Sequence, residues 1–184
     1  MKLNKLIAIA TISLLSGGIS MAQKALNLED IVAGNIIQTK GIGSMTWLKD
    51  GERYSRLENN KQTGGTDIVA YRAKDNSREV IIPSSLLTDK STGRPIPVRS
   101  VSWSADNEKI LIYNNTRRVW RYDTRGDYWV LNLKDGALRQ LGKGMPESSM
   151  MFAKFSPDGT RVAYVSNNNI YVEDIDSGKI TQLT

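Results

Sequence analysis

Residues 153–165 read AKFSPDGTRVAYV, and the same design occurs twice earlier in the chain, as MTWLKDGERYSRL at 45–57 and VSWSADNEKILIY at 101–113. Each copy has an aromatic (Trp47, Trp103, Phe155), an aspartate three residues later (Asp50, Asp106, Asp158) and then an apolar run. A strand ending in a buried aromatic, a tight turn at KDG, ADN or PDG, and a return strand make a β-hairpin specified by its turn chemistry. A second hairpin follows each: DIVAYRAKDNSREVII, DYWVLNLKDGALRQL and NNIYVEDIDSGKITQL, with turns at Lys74-Asp75-Asn76, Lys134-Asp135-Gly136 and Asp176-Ser177-Gly178. Trp103 follows Trp47 by 56 residues and Phe155 follows Trp103 by 52. Four short antiparallel strands per unit, repeated at about 40 to 60 residues, predict the blades of an all-β propeller. An ordinary β-sandwich would supply alternating strands but no reason for the aromatic-x-x-Asp hairpin to recur three times.

The repeat also exposes an insertion. Asp158 and Ser177 are 19 residues apart in the third unit, whereas the equivalent Asp106 and Asp135 are 29 apart in the second. The ten extra residues fall between the second and third strands, within the fourteen-residue stretch TRRVWRYDTRGDYW at 116–129. An insertion at one position of one repeat is expected as a loop on one face, often the binding face. Arginine suits such a loop because its planar guanidinium donates directionally to carbonyl and carboxylate oxygens. A neighbouring tryptophan can pack against that fork and fix it.

Composition bounds the chemistry. The 184 residues, 40% hydrophobic, suffice for one folded unit with a sizeable core. The net charge of +6 is spread out, without a run of five basic residues, so nucleic acid is not an expected partner. The chain has no cysteine, which excludes disulfides, zinc-thiolate sites and a thiol nucleophile. It has no histidine either, so a histidine-dependent triad cannot be completed from it. No catalytic residue, cofactor or metal ligand is assigned.

The first 22 residues read as a cleavable signal peptide: Lys2 and Lys5, the apolar run Leu6 to Leu15, then Ser20-Met21-Ala22. The apolar run is too short for a membrane anchor, and no cysteine follows it for lipid attachment. The expected mature start is Gln23, with a net charge of +4 after two lysines are lost, in a secreted or periplasmic setting. Residues 23–40 form a lead-in in which Asn27 can cap a short helix bearing Glu29 and Asp30, with Gly34 as its stop. Residues 41–184 form the partial propeller, with blades expected near 44–82, 98–141 and 151–184.

The run TRRVWRYDTRGDYWVLNL, the segment FAKFSPDGTRVAYVSNNNIYVEDI and the closing GKITQLT resemble the N-terminal propeller of the dipeptidyl peptidase IV group, in the prolyl oligopeptidase family of serine peptidases. The SPDG hairpin is shared with TolB-type propellers; the Trp-Arg insertion is more specific. The resemblance implies an eight-bladed propeller capping a C-terminal α/β-hydrolase domain, with release of dipeptides from free peptide N-termini where proline or alanine stands second. It also implies that a glutamate pair in the propeller holds the substrate amine, and that an arginine after a tryptophan contacts a substrate carbonyl. On that motif the arginine is Arg121 and the tryptophan Trp120, followed here by Tyr122 where better-known members carry His-Ser-Tyr. Arg117, Arg118 and Arg125 are assigned to solvent or structure.

No Glu-Glu pair and no Gly-x-Ser-x-Gly elbow occurs in the 184 residues. Three blades would leave an open arc, because propellers close with four to eight. The chain is therefore expected to be the N-terminal fragment of a larger peptidase, inactive alone, whose state as monomer or homodimer the sequence leaves open. A non-enzymatic TolB-like scaffold would carry the same SPDG hairpins but has no reason for the Trp-Arg insertion. A glycosidic propeller would need paired carboxylates on one cleft, whereas Glu173, Asp174 and Asp176 read as strand and turn residues.

Overall fold

A computed structural model describes residues 27–32, 41 and 43–184. The signal peptide, Gln23 and Gly34 lie outside them. The chain divides into two units, Met1–Gly41 and Ile42–Thr184. In the first, helix α1 (Leu28–Val32) begins directly after Asn27, whose carbonyl accepts a hydrogen bond from the Ile31 amide at 3.3 Å.

The second unit is all β apart from a 3-10 turn at Ser84–Leu87. Its first sheet comprises β1 (Met45–Trp47), β2 (Arg53–Asn59), β3 (Thr66–Arg72) and β4 (Arg78–Ile82). A ribbon of β5 (Thr88–Asp89) and β6 (Arg94–Pro95) follows. The second sheet holds β7 (Ser100–Trp103), β8 (Lys109–Val119), β9 (Tyr122–Asn132) and β10 (Leu138–Gln140). The third holds β11 (Met151–Phe155), β12 (Arg161–Ser166), β13 (Asn169–Asp174) and β14 (Ile180–Gln182). Each four-stranded sheet is an antiparallel meander in chain order. This is the propeller blade that the repeat predicts.

The recurring aspartate has a local cause. The Asp158 carboxylate accepts from the Thr160 amide at 3.0 Å and from the Ser156 and Thr160 hydroxyls at 2.5 and 2.8 Å. Asp106 accepts from the Glu108 amide and the Ser104 hydroxyl in the same way, at 2.9 and 2.5 Å. Asp50 accepts from the Glu52 and Arg53 amides at 2.9 and 3.0 Å. Such side-chain bonds replace the backbone bonds that a reversing chain forgoes. The Ser156 hydroxyl is the chief cause that draws the Asp158 carboxyl down to about 2, and the Arg53 guanidinium does the same for Asp50, also to about 2. The residue after each carboxylate, Gly51, Asn107 or Gly159, adopts a φ of +70°, +59° or +67°, the left-handed region open to glycine and asparagine.

Successive sheets stack face to face. Ile68 and Ile82 of the first sheet meet Ile110, Ile112 and Leu131 of the second. Leu111, Tyr128 and Val130, on the other face of the second sheet, meet Ala153, Val162 and Tyr164 of the third. Each fully buried aliphatic side chain contributes about 1.5 to 3 kcal/mol of transfer free energy, so these junctions supply most of the cohesion. A buried carboxylate reinforces the second: Glu173 accepts from the Gly142 amide at 2.8 Å and the Tyr164 hydroxyl at 3.2 Å, and pairs with Arg139 at 3.4 Å.

The strand-end aromatics are less buried than expected. Trp103 and Phe155 are half-buried in the two junctions, and Trp47 is 56% exposed. In the second and third sheets, the face bearing this aromatic lies against the preceding sheet. Among the described residues no sheet covers that face of the first, so Trp47 instead meets Tyr54 edge-on at 5.9 Å.

Candidate functional site

The expected insertion loop is a continuation of the sheet. β8 and β9 run for 11 residues each, whereas β12 and β13 of the third sheet run for 6. Pairing is regular from Lys109↔Asn132 to Asn114↔Asp127, shifts register twice between Asn114 and Arg118, and closes at Val119↔Tyr122. The inserted residues stay extended because bulges, unlike a true loop, let them keep the ladder that the sheet has begun. Trp120 and Arg121 form the two-residue tip. Trp120 has φ +61°, a value that usually calls for glycine in such a turn, and its side chain is 94% exposed. A bulky residue held in that region is a strain that marks functional positions. Tyr122 is 74% exposed. Arg121 is exposed, and no side-chain hydrogen bond or ion pair engages it among the described residues.

The foot of the hairpin is held by polar contacts that sequence reasoning missed. A Cβ at Gly126 would lie 2.4 Å from the Tyr113 ring and 2.6 Å from the Asn114 carbonyl, so only glycine fits there. Its amide donates to the Met150 carbonyl at 3.0 Å, and the Met150 amide returns the bond at 3.1 Å. The Asn115 side-chain amide donates to Asp127 Oδ2 and Glu147 Oε1, both at 2.7 Å. The Ser148 amide donates to Asp127 Oδ1 at 2.8 Å, and its hydroxyl to the Asn115 carbonyl at 2.7 Å. On the returning arm, Asp123 pairs with Arg99 at 3.1 Å, and the Tyr113 hydroxyl donates to the Asp123 carbonyl at 3.1 Å. Burial pushes that phenol up to about 12, which keeps it a neutral donor.

The Asp127 contact repeats in the first sheet, where Asp67 accepts from the Ser84 amide at 2.7 Å and the Asn60 side-chain amide at 3.0 Å. In both sheets a carboxylate directly before the apolar run of the third strand grips the connection to the next blade. The signal was present as an aspartate directly before an apolar run, in DIVAY and DYWVL. Beside the hairpin foot, a groove of about 260 Å³ opens between β7 and β11, lined in part by Tyr113, Asp123, Tyr128, Phe152 and Lys154. Phe152 sits at a bulge with φ +58° and is 66% exposed. Among the described residues, no group of histidine, cysteine, aspartate or glutamate could hold a metal ion, and no helix is long and apolar enough to cross a membrane.

The hairpin lies inside a segment, residues 104–184, that matches the family described as dipeptidyl peptidase IV (DPP IV) N-terminal region. That segment is similar to a DPP IV N-terminal region. Among curated relatives, it is 25% identical over 178 residues to a probable dipeptidyl-aminopeptidase B of Aspergillus terreus, covering 92% of this chain and 19% of that protein. It is 25% identical over 167 residues to the protein of that name from Emericella nidulans, covering 88% and 18%. The chain thus spans about a fifth of the length of the curated relatives it matches. Among solved structures, the Porphyromonas gingivalis dipeptidyl peptidase 4 superposes with a TM-score of 0.65 at 22% identity, over 88% of this chain and 22% of that one. That likeness is one of fold. Within the matched segment, Trp120 and Arg121 stand together at the tip, Arg117 faces Arg125 across the two arms, and Arg118 faces Asp123.

Proposed function

We propose that the chain is the N-terminal propeller portion of a secreted serine dipeptidyl peptidase, and that its Trp120–Arg121 hairpin binds the peptide substrate. The observation that carries this reading is the DPP IV match over the very segment that bears the hairpin. In this reading the parent releases dipeptides from free peptide N-termini with proline or alanine second, the nucleophilic serine and its histidine base standing in a C-terminal α/β-hydrolase domain. With no histidine in its 184 residues, this chain supplies substrate positioning rather than proton transfer.

The chemistry asked of Arg121 is modest and directional. Its fork donates to a carbonyl oxygen of the bound peptide, and Trp120 beside it limits the directions the fork can take. An unpaired, exposed guanidinium needs no partner displaced before it can bind. The amine end of the substrate is neutralised by carboxylates from elsewhere in the parent.

Two measurements test the proposal. Residues 23–184 alone leave a Gly-Pro chromogenic substrate intact, and turnover that scales with the amount of this chain would refute the assigned chemistry. In the complete peptidase, Arg121→Lys keeps the charge but loses the planar fork. It is expected to lower kcat/KM by about ten- to a hundredfold, the scale of one charged hydrogen bond, with the fold intact. Undiminished dipeptide release would remove Arg121 from the site.

A further inference from the structure

Four arginines stand between positions 117 and 125, all exposed, and Asp123 is the only carboxylate in that span. Arg117 and Arg125 are directly opposed across the hairpin. Like charges so placed destabilise a strand pair. The first sheet shows how the fold ordinarily answers this: Arg53 is opposed to Arg72, but Arg53 pairs with Asp50 at 2.7 Å and Glu79 at 3.2 Å, and Arg72 pairs with Glu52 at 3.6 Å. On the hairpin, Arg117 and Arg125 have no such partner among the described residues. Asp123 stands opposite Arg118, yet its carboxylate engages Arg99 at 3.1 Å. Among the described residues all four guanidiniums therefore keep their donors free, next to the exposed rings of Trp120 and Tyr122.

We propose that Arg117 and Arg125 bind carboxylate side chains of the peptide substrate, so that the hairpin selects peptides acidic beyond their first two residues. The proposal rests on the reading of this chain as part of a dipeptidyl peptidase. Guanidinium forks match carboxylates in a bidentate geometry, and a bound acidic residue relieves the repulsion between the opposed arginines. A substrate whose first carbonyl lies on Arg121 carries its following residues past the two arms. Nucleic acid fits less well, because the cations are confined to one narrow hairpin rather than spread as a stripe over a face.

The test uses the 184-residue chain and two peptides labelled at their C-terminus, Gly-Pro-Glu-Asp-Glu-Asp and its amide counterpart Gly-Pro-Gln-Asn-Gln-Asn, followed by fluorescence anisotropy. The acidic peptide is expected to bind about tenfold more tightly at low salt, with the preference shrinking as salt rises. The pair R117Q/R125Q abolishes the preference, and R125E, which gives Arg117 a carboxylate neighbour, does so by a single change; thermal melting confirms that either variant is folded. Arg121→Lys leaves the preference in place, so the failure of Arg121 as a carbonyl contact and the failure of this site are read separately. Equal binding of the two peptides, binding of neither, or a preference unmoved in both variants overturns the proposal. So does displacement of the acidic peptide by a single-stranded oligonucleotide of equal charge at equal or lower concentration.

Discussion

The second and third sheets share one plan and part company at one end. Both are four-stranded meanders with the same aspartate turn, and both bury an aliphatic face against the sheet before them. In the third sheet, the two middle strands stop where burial stops, at Ser166 and Asn169. In the second they continue past Asn114 and Asp127 into solvent, and the residues change character from Ile110, Leu111 and Ile112 to Arg117, Arg118 and Arg125. The lesson is that the body of a blade is held by its neighbours, whereas the arms are held by contacts at their foot. Among the described residues the arms contribute no core burial and carry strain at Trp120, which supports the binding role proposed for them.

The largest expected effect tests the body. Leu131 is fully buried in the junction of the first two sheets, and Leu131→Ala should cost about 2 to 5 kcal/mol. Chemical denaturation monitored on the whole unit should show a single lowered midpoint, and a change confined to the hairpin would break the distinction between body and arms. Gly126→Ala tests the arms. The new Cβ meets the Tyr113 ring and the Asn114 carbonyl, which should cost about 1 to 3 kcal/mol. Amide exchange should accelerate between residues 115 and 126 while the third sheet keeps its protection. Equal loss in the third sheet would mean that the arms are part of the cooperative core.

The smallest expected effect concerns what the sheets share. The folded Asp50 and Asp158 carboxyls lie at about 2, below their ordinary value of 3.8. Their contribution is therefore complete above about pH 4 and is lost as the pH falls toward 2. The thermal midpoint should decline through that window, and Asp158→Asn should lower it slightly at neutral pH and flatten the decline. A variant with an unchanged acid profile would assign the turn to Gly159 and the backbone alone.

The hairpins, their turns and the position of the insertion were legible because their causes are local. Asp158 bonds to Ser156 and Thr160, two residues away on either side, so the PDG turn can be read from five letters. What Trp47 packs against was not legible, because its burial depends on which sheet stands before it. Nor could composition distinguish a loop from extended arms, since the bulges at Asn114 to Arg118 are a matter of register.

By itself, then, the sequence determined where the chain reverses, how many strands make a unit, and that one unit carries ten residues more than its neighbour. Tertiary structure alone decided that Asn115 reaches Glu147, 32 positions away, that Glu173 receives the Gly142 amide from 31 positions away, and that Asp123 is drawn to Arg99 rather than to the arginines of the arms. A turn depends on the conformations and side chains of adjacent residues, which the letters carry. A contact between distant strands depends on which of many competing partners packing brings within reach, and that choice is made only when the sheets assemble.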